Sequence, residues 1–212
     1  MMGGETISLW QAGDIPFDRR EILRYAGFPG GTEPEGLPLD ECLKDIRGRV
    51  RCVCAWRRFE TKRTENGIDL GFAVTDSRAL SRFLEGCGSI LLFAMTAGRE
   101  MDRIIARNTV ISPLRGLLAH AAEAERVESA CDRFCDETGG LIPGMEVRGR
   151  FSPGYGDLPL SMQKDVFSAL ELEKTLGLML DPESLLMTPS KSVTAIAALR
   201  EKKQEETEDE NN

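Results

Sequence analysis

Val50-Arg51-Cys52-Val53-Cys54-Ala55-Trp56 reads as a β-strand, because Val50, Cys52, Cys54 and Trp56 recur at period two and so share one face against a core. Asn66-Gly67 downstream is a hairpin-turn signal, and Ile68 to Val74 is expected to return as the next strand. Ser89 to Met95 is a short, continuous apolar run of the kind a buried strand presents, and Ser192 to Leu199 reads as a further strand. These strands are mixed with helices but show no regular βαβ alternation. The expected fold class is therefore α+β: a single domain with a twisted, mainly antiparallel sheet flanked by helices, one of them long and central.

Residues 1–17 carry no clear period. Asp18 then caps a short helix that Gly27 ends, Phe28 to Pro38 is a Gly/Pro-rich loop, and Leu39 to Arg47 is a second helix. Ser77 to Leu84 and Arg99 to Arg107 follow as helices. The longest helical signal runs from Pro113 to Asp136, with Leu114, Leu117, Leu118, Ala121, Ala124, Val127, Cys131, Phe134 and Cys135 on one stripe and Gly139-Gly140 as its stop. Gln163 to Lys174 reads as one helix. The domain is expected over residues 1–199, and the charged stretch 200–212 as a solvated or disordered tail.

Composition narrows the function classes. At 41% hydrophobic and 29% charged residues the chain is globular, and its net charge of -8 disfavours nonspecific binding to nucleic acid or an anionic membrane. No basic segment precedes an apolar run at the N-terminus, and no stretch is long enough to span a bilayer, so a cytoplasmic protein is expected. The six cysteines lack structural-zinc spacing and are expected as free, mostly buried thiols, with no metal site. His120 is the only histidine and no Gly-x-Ser-x-Gly elbow accompanies it, so no catalytic residue is assigned. Dinucleotide-type and P-loop glycine motifs are absent.

The ligand chemistry concentrates in Arg150-Phe151-Ser152-Pro153-Gly154-Tyr155-Gly156-Asp157-Leu158-Pro159. Arg150 offers a permanently charged fork for a carboxylate or phosphate, Tyr155 a stacking face, and Gly154 and Gly156 a backbone that a ligand could approach. Glu128, beside the apolar stripe of the long helix, needs a donor or cation. Either a ligand or a salt bridge to Arg150 would supply one.

This segment resembles the activation (reactivation) domain of vitamin B12-dependent methionine synthase, including its free-standing versions. The shared pattern is an arginine, three residues, then Gly-Tyr. Thr188-Pro189-Ser190-Lys191-Ser192-Val193-Thr194 is similar to a second element of that family, downstream of a comparable Glu171-Leu172-Glu173-Lys174 helix, and Phe93 to Gly98 and Val127-Glu128 are weaker echoes.

The resemblance implies S-adenosylmethionine bound along a shallow groove. It implies Arg150 at the methionyl carboxylate, and Ser152, Gly154 and Tyr155 in the adjoining loop. Glu128 and Glu146 would be acidic neighbours of the sulfonium and ammonium. It further implies a role in restoring methylcobalamin from cob(II)alamin, by one-electron reduction coupled to methyl transfer. The chain lacks the Asp-x-His-x-x-Gly motif of cobalamin modules, so the corrinoid would reside on a partner methionine synthase lacking its own activation domain, with an electron-donor protein as a second partner. The alternatives are a methyltransferase acting on a small molecule with the same donor, or a docking partner of a corrinoid methyltransferase.

Overall fold

The computed structural model describes residues 6–202. Strand β1 (Ser8–Gln11) lies where no period is visible. It is a short edge strand that turns Trp10 inward onto Phe134, ring centroids 5.4 Å apart. Helix α1 (Arg19–Tyr25) starts at Asp18 as expected, the Asp18 carboxylate accepting from the Glu21 amide at 3.1 Å, and α2 (Leu39–Ile46) follows the Gly/Pro loop. Strand β2 (Val53–Glu60) carries the opening alternation. Cys52 and Cys54 are buried, and Val50 and Trp56 pack against the same core.

The returning strand is different from the expectation. Ile68 to Val74 is split by Gly71, at φ 79°, into β4 (Gly67–Asp69) and β5 (Val74–Thr75), which form a small separate sheet with β3 (Lys62–Thr64). The Asn66-Gly67 turn joins β3 to β4. Helix α3 (Arg78–Phe83) leads into β6 (Ser89–Thr96), all eight residues of which are buried. As the centre of the main sheet, β6 covers both faces: Leu91, Phe93 and Met95 point to one core, Ile90, Leu92 and Ala94 to the other.

Helices α4 (Arg99–Ile111) and α5 (Pro113–Leu141) follow. The long helix continues through the Gly139-Gly140 stop to Leu141. Its inward stripe holds Leu118, Ala121, Val127, Cys131 and Phe134, but Leu114 and Leu117 are exposed. The reason lies at Gly116, where an added Cβ would sit 2.5 Å from Thr109 Oγ1: the close crossing with α4 rotates the glycine inward and both leucines out.

Strand β7 (Met145–Phe151) takes in Arg150 and Phe151, the first two residues of the segment read as a ligand-binding loop. The expected Gln163–Lys174 helix breaks into α6 (Gln163–Ala169) and α7 (Leu172–Thr175), with Glu171 at φ 47° between them. Leu170 and Leu172 are both fully buried, which two residues spaced two apart cannot be on one side of a straight helix. A hairpin of β8 (Met179–Leu180) and β9 (Met187–Thr188) precedes β10 (Ser192–Glu201), which runs two residues beyond the expected strand end. The rest of the expected tail, residues 203–212, lies outside the described residues.

The main sheet is antiparallel throughout, in the order β1-β2-β6-β10-β7. Side chains from α1, α2, α4 and α5 build the core on one face, and those from α3, α6 and α7 the core on the other. Phe134 anchors the first core, its ring 5.1 Å from Phe93 and 6.2 Å from Trp56. Among the described residues, no helix is long and apolar enough to cross a membrane.

Candidate functional site

The site forms where β7 stops short of β10. Strand β7 pairs with β10 only from Ile196 onward, so among the described residues no strand covers the outer edge of residues 192–195. A groove of about 330 Å³ lies along that edge. Glu128 from α5, Arg150 at the end of β7, Ser152 and Tyr155 from the loop, and Ser192 to Ala195 of β10 all line it. The two sequence elements singled out, one around Arg150 and the other at residues 188–194, therefore meet in space.

A β-bulge aims Arg150. Between the pairs Ala197–Arg150 and Leu199–Val147, three residue steps on β7 span two on β10. The extra residue falls at Arg148-Gly149 and reverses the alternation. Arg150 thereby joins Met145 and Val147 on the α5 face, while Phe151 packs into the opposite core. An undisturbed strand would have put Glu146 and Arg150 on one face. Instead Glu146 lies at the far end of β7, outside the groove lining, and pairs with Arg200.

Arg150 contacts two acids, Asp132 Oδ1 at 2.5 Å and Glu128 Oε2 at 3.4 Å, both through Nη2. The salt bridge open to Glu128 on sequence grounds is thus made, but Asp132 is the tighter partner and was not foreseen. Burial works against the guanidinium's charge, yet the acidic groups around it, Cys131, Asp132, Cys135 and Glu128, together raise its pKa. Nε and Nη1 have no acid partner among the described residues. A ligand carboxylate taking two prongs would have to share Nη2 with Asp132.

The loop after Arg150 is a built turn. Gly154 N donates to Leu158 O at 2.9 Å and Tyr155 N to Ser152 O at 3.1 Å, so these two amides are used internally rather than held open for a ligand. Glycine serves conformation here: φ is 92° at Gly154 and 55° at Gly156, both in the left-handed region. Asp157 ties the turn to α3, accepting from Ser77 Oγ, from Arg78 N at 2.9 Å and from Ala79 N at 3.1 Å. The Ser77 hydroxyl, followed by the two amides, lowers the Asp157 pKa. Sequence reading missed this role, because its partners lie some 80 positions earlier. The turn leaves Tyr155 62% exposed, edge-on to Phe151 at 6.2 Å.

Other candidates fall elsewhere. His120 stands half exposed on α5, outside the groove lining. Cys42, Cys52, Cys54 and Cys131 are buried and unbridged, and burial raises their pKa values, Cys52 to about 12. Gln163, the first residue of α6, also lines the groove and had not been singled out.

No protein-family model matches the chain. Its fold does match a solved structure described as the MetH reactivation domain bound to AdoHcy, with a TM-score of 0.60, 17% identity, and coverage of 91% of this chain and 78% of that one. The antiparallel sheet and long helix expected from the sequence, and the resemblance drawn from the Arg150 loop, agree with that architecture.

Proposed function

We propose that this protein binds S-adenosylmethionine in the Arg150 groove. There it supports reductive methylation of cob(II)alamin on a corrinoid methionine synthase that lacks its own activation domain. One observation carries the reading: Glu128, Arg150, Ser152, Tyr155 and Ser192 to Thr194 converge on a single groove, in a chain whose fold matches a domain solved with AdoHcy bound. AdoHcy is what S-adenosylmethionine becomes when its methyl group leaves.

In this reading Arg150 takes the methionyl carboxylate by charge-assisted hydrogen bonds. The Glu128 carboxylate, beside Arg150, stabilises the ammonium or sulfonium. Tyr155, held out by the Asp157-anchored turn, offers its ring to the base. Residues 1–199 form the activation-domain-like unit, working in the cytoplasm. The corrinoid, carried by the partner, accepts the methyl group, and an electron-donor protein supplies the electron. His120 stands away from the groove lining.

Calorimetry with S-adenosylmethionine tests the reading. The native chain should release binding heat, and Arg150→Ala should weaken affinity by roughly ten- to a hundredfold, the worth of a hydrogen bond to a charged group. Absence of heat with the native chain would sink the proposal. Where binding holds, mixing the protein with the synthase and a reductant should restore methylcobalamin, read by its absorbance.

A docking-only role is the second reading, and the Asp132 contact favours it, since that carboxylate already holds the prong a ligand would want. Co-purification with a cobalamin protein, together with no S-adenosylmethionine heat, would select it.

A further inference from the structure

We propose that Gln163 reads the neutral end of the groove's ligand, its side-chain carbonyl accepting a hydrogen bond from the exocyclic amine of adenine. This rests on the S-adenosylmethionine reading above and assigns a specificity contact within that site.

Gln163 is 7% exposed, lines the groove, and its Oε1 has no hydrogen-bond partner among the described residues. Buried acceptors are nearly always satisfied, because one stripped of water and left unpaired is costly. In the unliganded chain that acceptor is shielded and unpaired beside the groove that Gln163 lines; rotation of the amide brings it to a donor that arrives with the ligand.

Position says which end of the ligand. Gln163 opens α6, whose Val166 and Phe167, three and four residues on, pack into the core opposite α5. Arg150 and Glu128 stand on the α5 side of the sheet. The groove thus runs around the end of β7, with its charged pair on one side and a neutral acceptor on the other. A ligand whose carboxylate meets Arg150 brings its far end to Gln163. For S-adenosylmethionine that end is adenine, whose N–H donor is the 6-amino group.

A primary amide can rotate to present either atom, so a 6-carbonyl analogue would be met by the flipped amide and would not discriminate. The probe is therefore AdoHcy compared with its analogue bearing hydrogen at C6. Calorimetry on the full chain should show the native protein preferring AdoHcy by about tenfold. Gln163→Met should bind both equally, at the native affinity for the hydrogen analogue, and should melt no lower than native when unliganded, since Oε1 loses no protein partner.

A preference that persists in Gln163→Met overturns this contact alone. So does a lowered melting temperature with both affinities reduced alike, which would make Gln163 a structural residue. Native protein that binds neither ligand overturns this inference and the S-adenosylmethionine reading together.

Discussion

Replacing Glu123 by glutamine should stabilise the protein by an amount that grows as the pH rises. Glu123 lies on α5, fully buried, and neither carboxylate oxygen has a hydrogen-bond partner among the described residues. Among the described residues, three charged or titratable groups face it. Asp102 on α4 opposes its ionisation, Lys191 before β10 favours it, and His120 Nδ1 stands 4.0 Å from Oε2. Burial dominates, with Asp102 adding to it, and together they push the carboxyl from the ordinary 4.5 up to about 7.

The sign follows from proton linkage. In the unfolded chain Glu123 ionises near its ordinary pKa, while the folded state holds its proton until about pH 7. The folded state's advantage is complete below the unfolded pKa and is lost as pH rises through the folded one. Two and a half pKa units correspond to about 3 kcal/mol, and most of that loss falls between roughly pH 5 and pH 8. Glutamine cannot ionise and escapes the loss. Urea unfolding of native protein and Glu123→Gln across this range should give curves that diverge by about 2–3 kcal/mol, the variant being the more stable at the alkaline end. The same pair in a His120→Ala background removes the imidazole's contribution. A difference independent of pH would refute the argument, because it would mean that Glu123 ionises normally in the fold.

Phe134→Ala should cost about 3–5 kcal/mol, because the ring is fully buried among Trp10, Trp56 and Phe93; a loss under about 1 kcal/mol in urea unfolding would show that the core closes around the gap. Gly156→Ala should strain the Arg150 turn, since its Cβ would lie 2.8 Å from Ala79 Cβ at a φ of 55°. The expected penalty is about 1–2 kcal/mol, accompanied by weaker S-adenosylmethionine binding, and calorimetry showing native affinity would contradict the turn's positioning role. Thiol titration of the folded protein should modify the half-buried Cys87 first and leave Cys42, Cys52, Cys54 and Cys131 untouched until denaturant is added, because burial keeps those thiols protonated. Rapid reaction of all six without denaturant would refute that order.

What was legible in the chain was local. The period-two face of Cys52, Cys54 and Trp56, the Asp18 cap and the unbroken apolar run of β6 each state their structure within a few residues, and each holds. The failures need a neighbour that sequence spacing does not name. Leu114 and Leu117 fit the helical stripe of α5 yet face outward, because Gly116 lets α4 approach. Glu146 and Arg150 share strand parity on paper, but the parity is broken by a count against β10, fifty positions away. That same bulge puts the cation on the α5 side while the chain, one turn later, starts α6 on the other. Arg150 and Gln163 are thirteen positions apart and line one groove only because β7 ends between them, at an edge of β10 that no strand covers among the described residues. A motif containing Arg150 can therefore announce a ligand's charged end. The acceptor for its other end becomes visible only once the sheet edge is built.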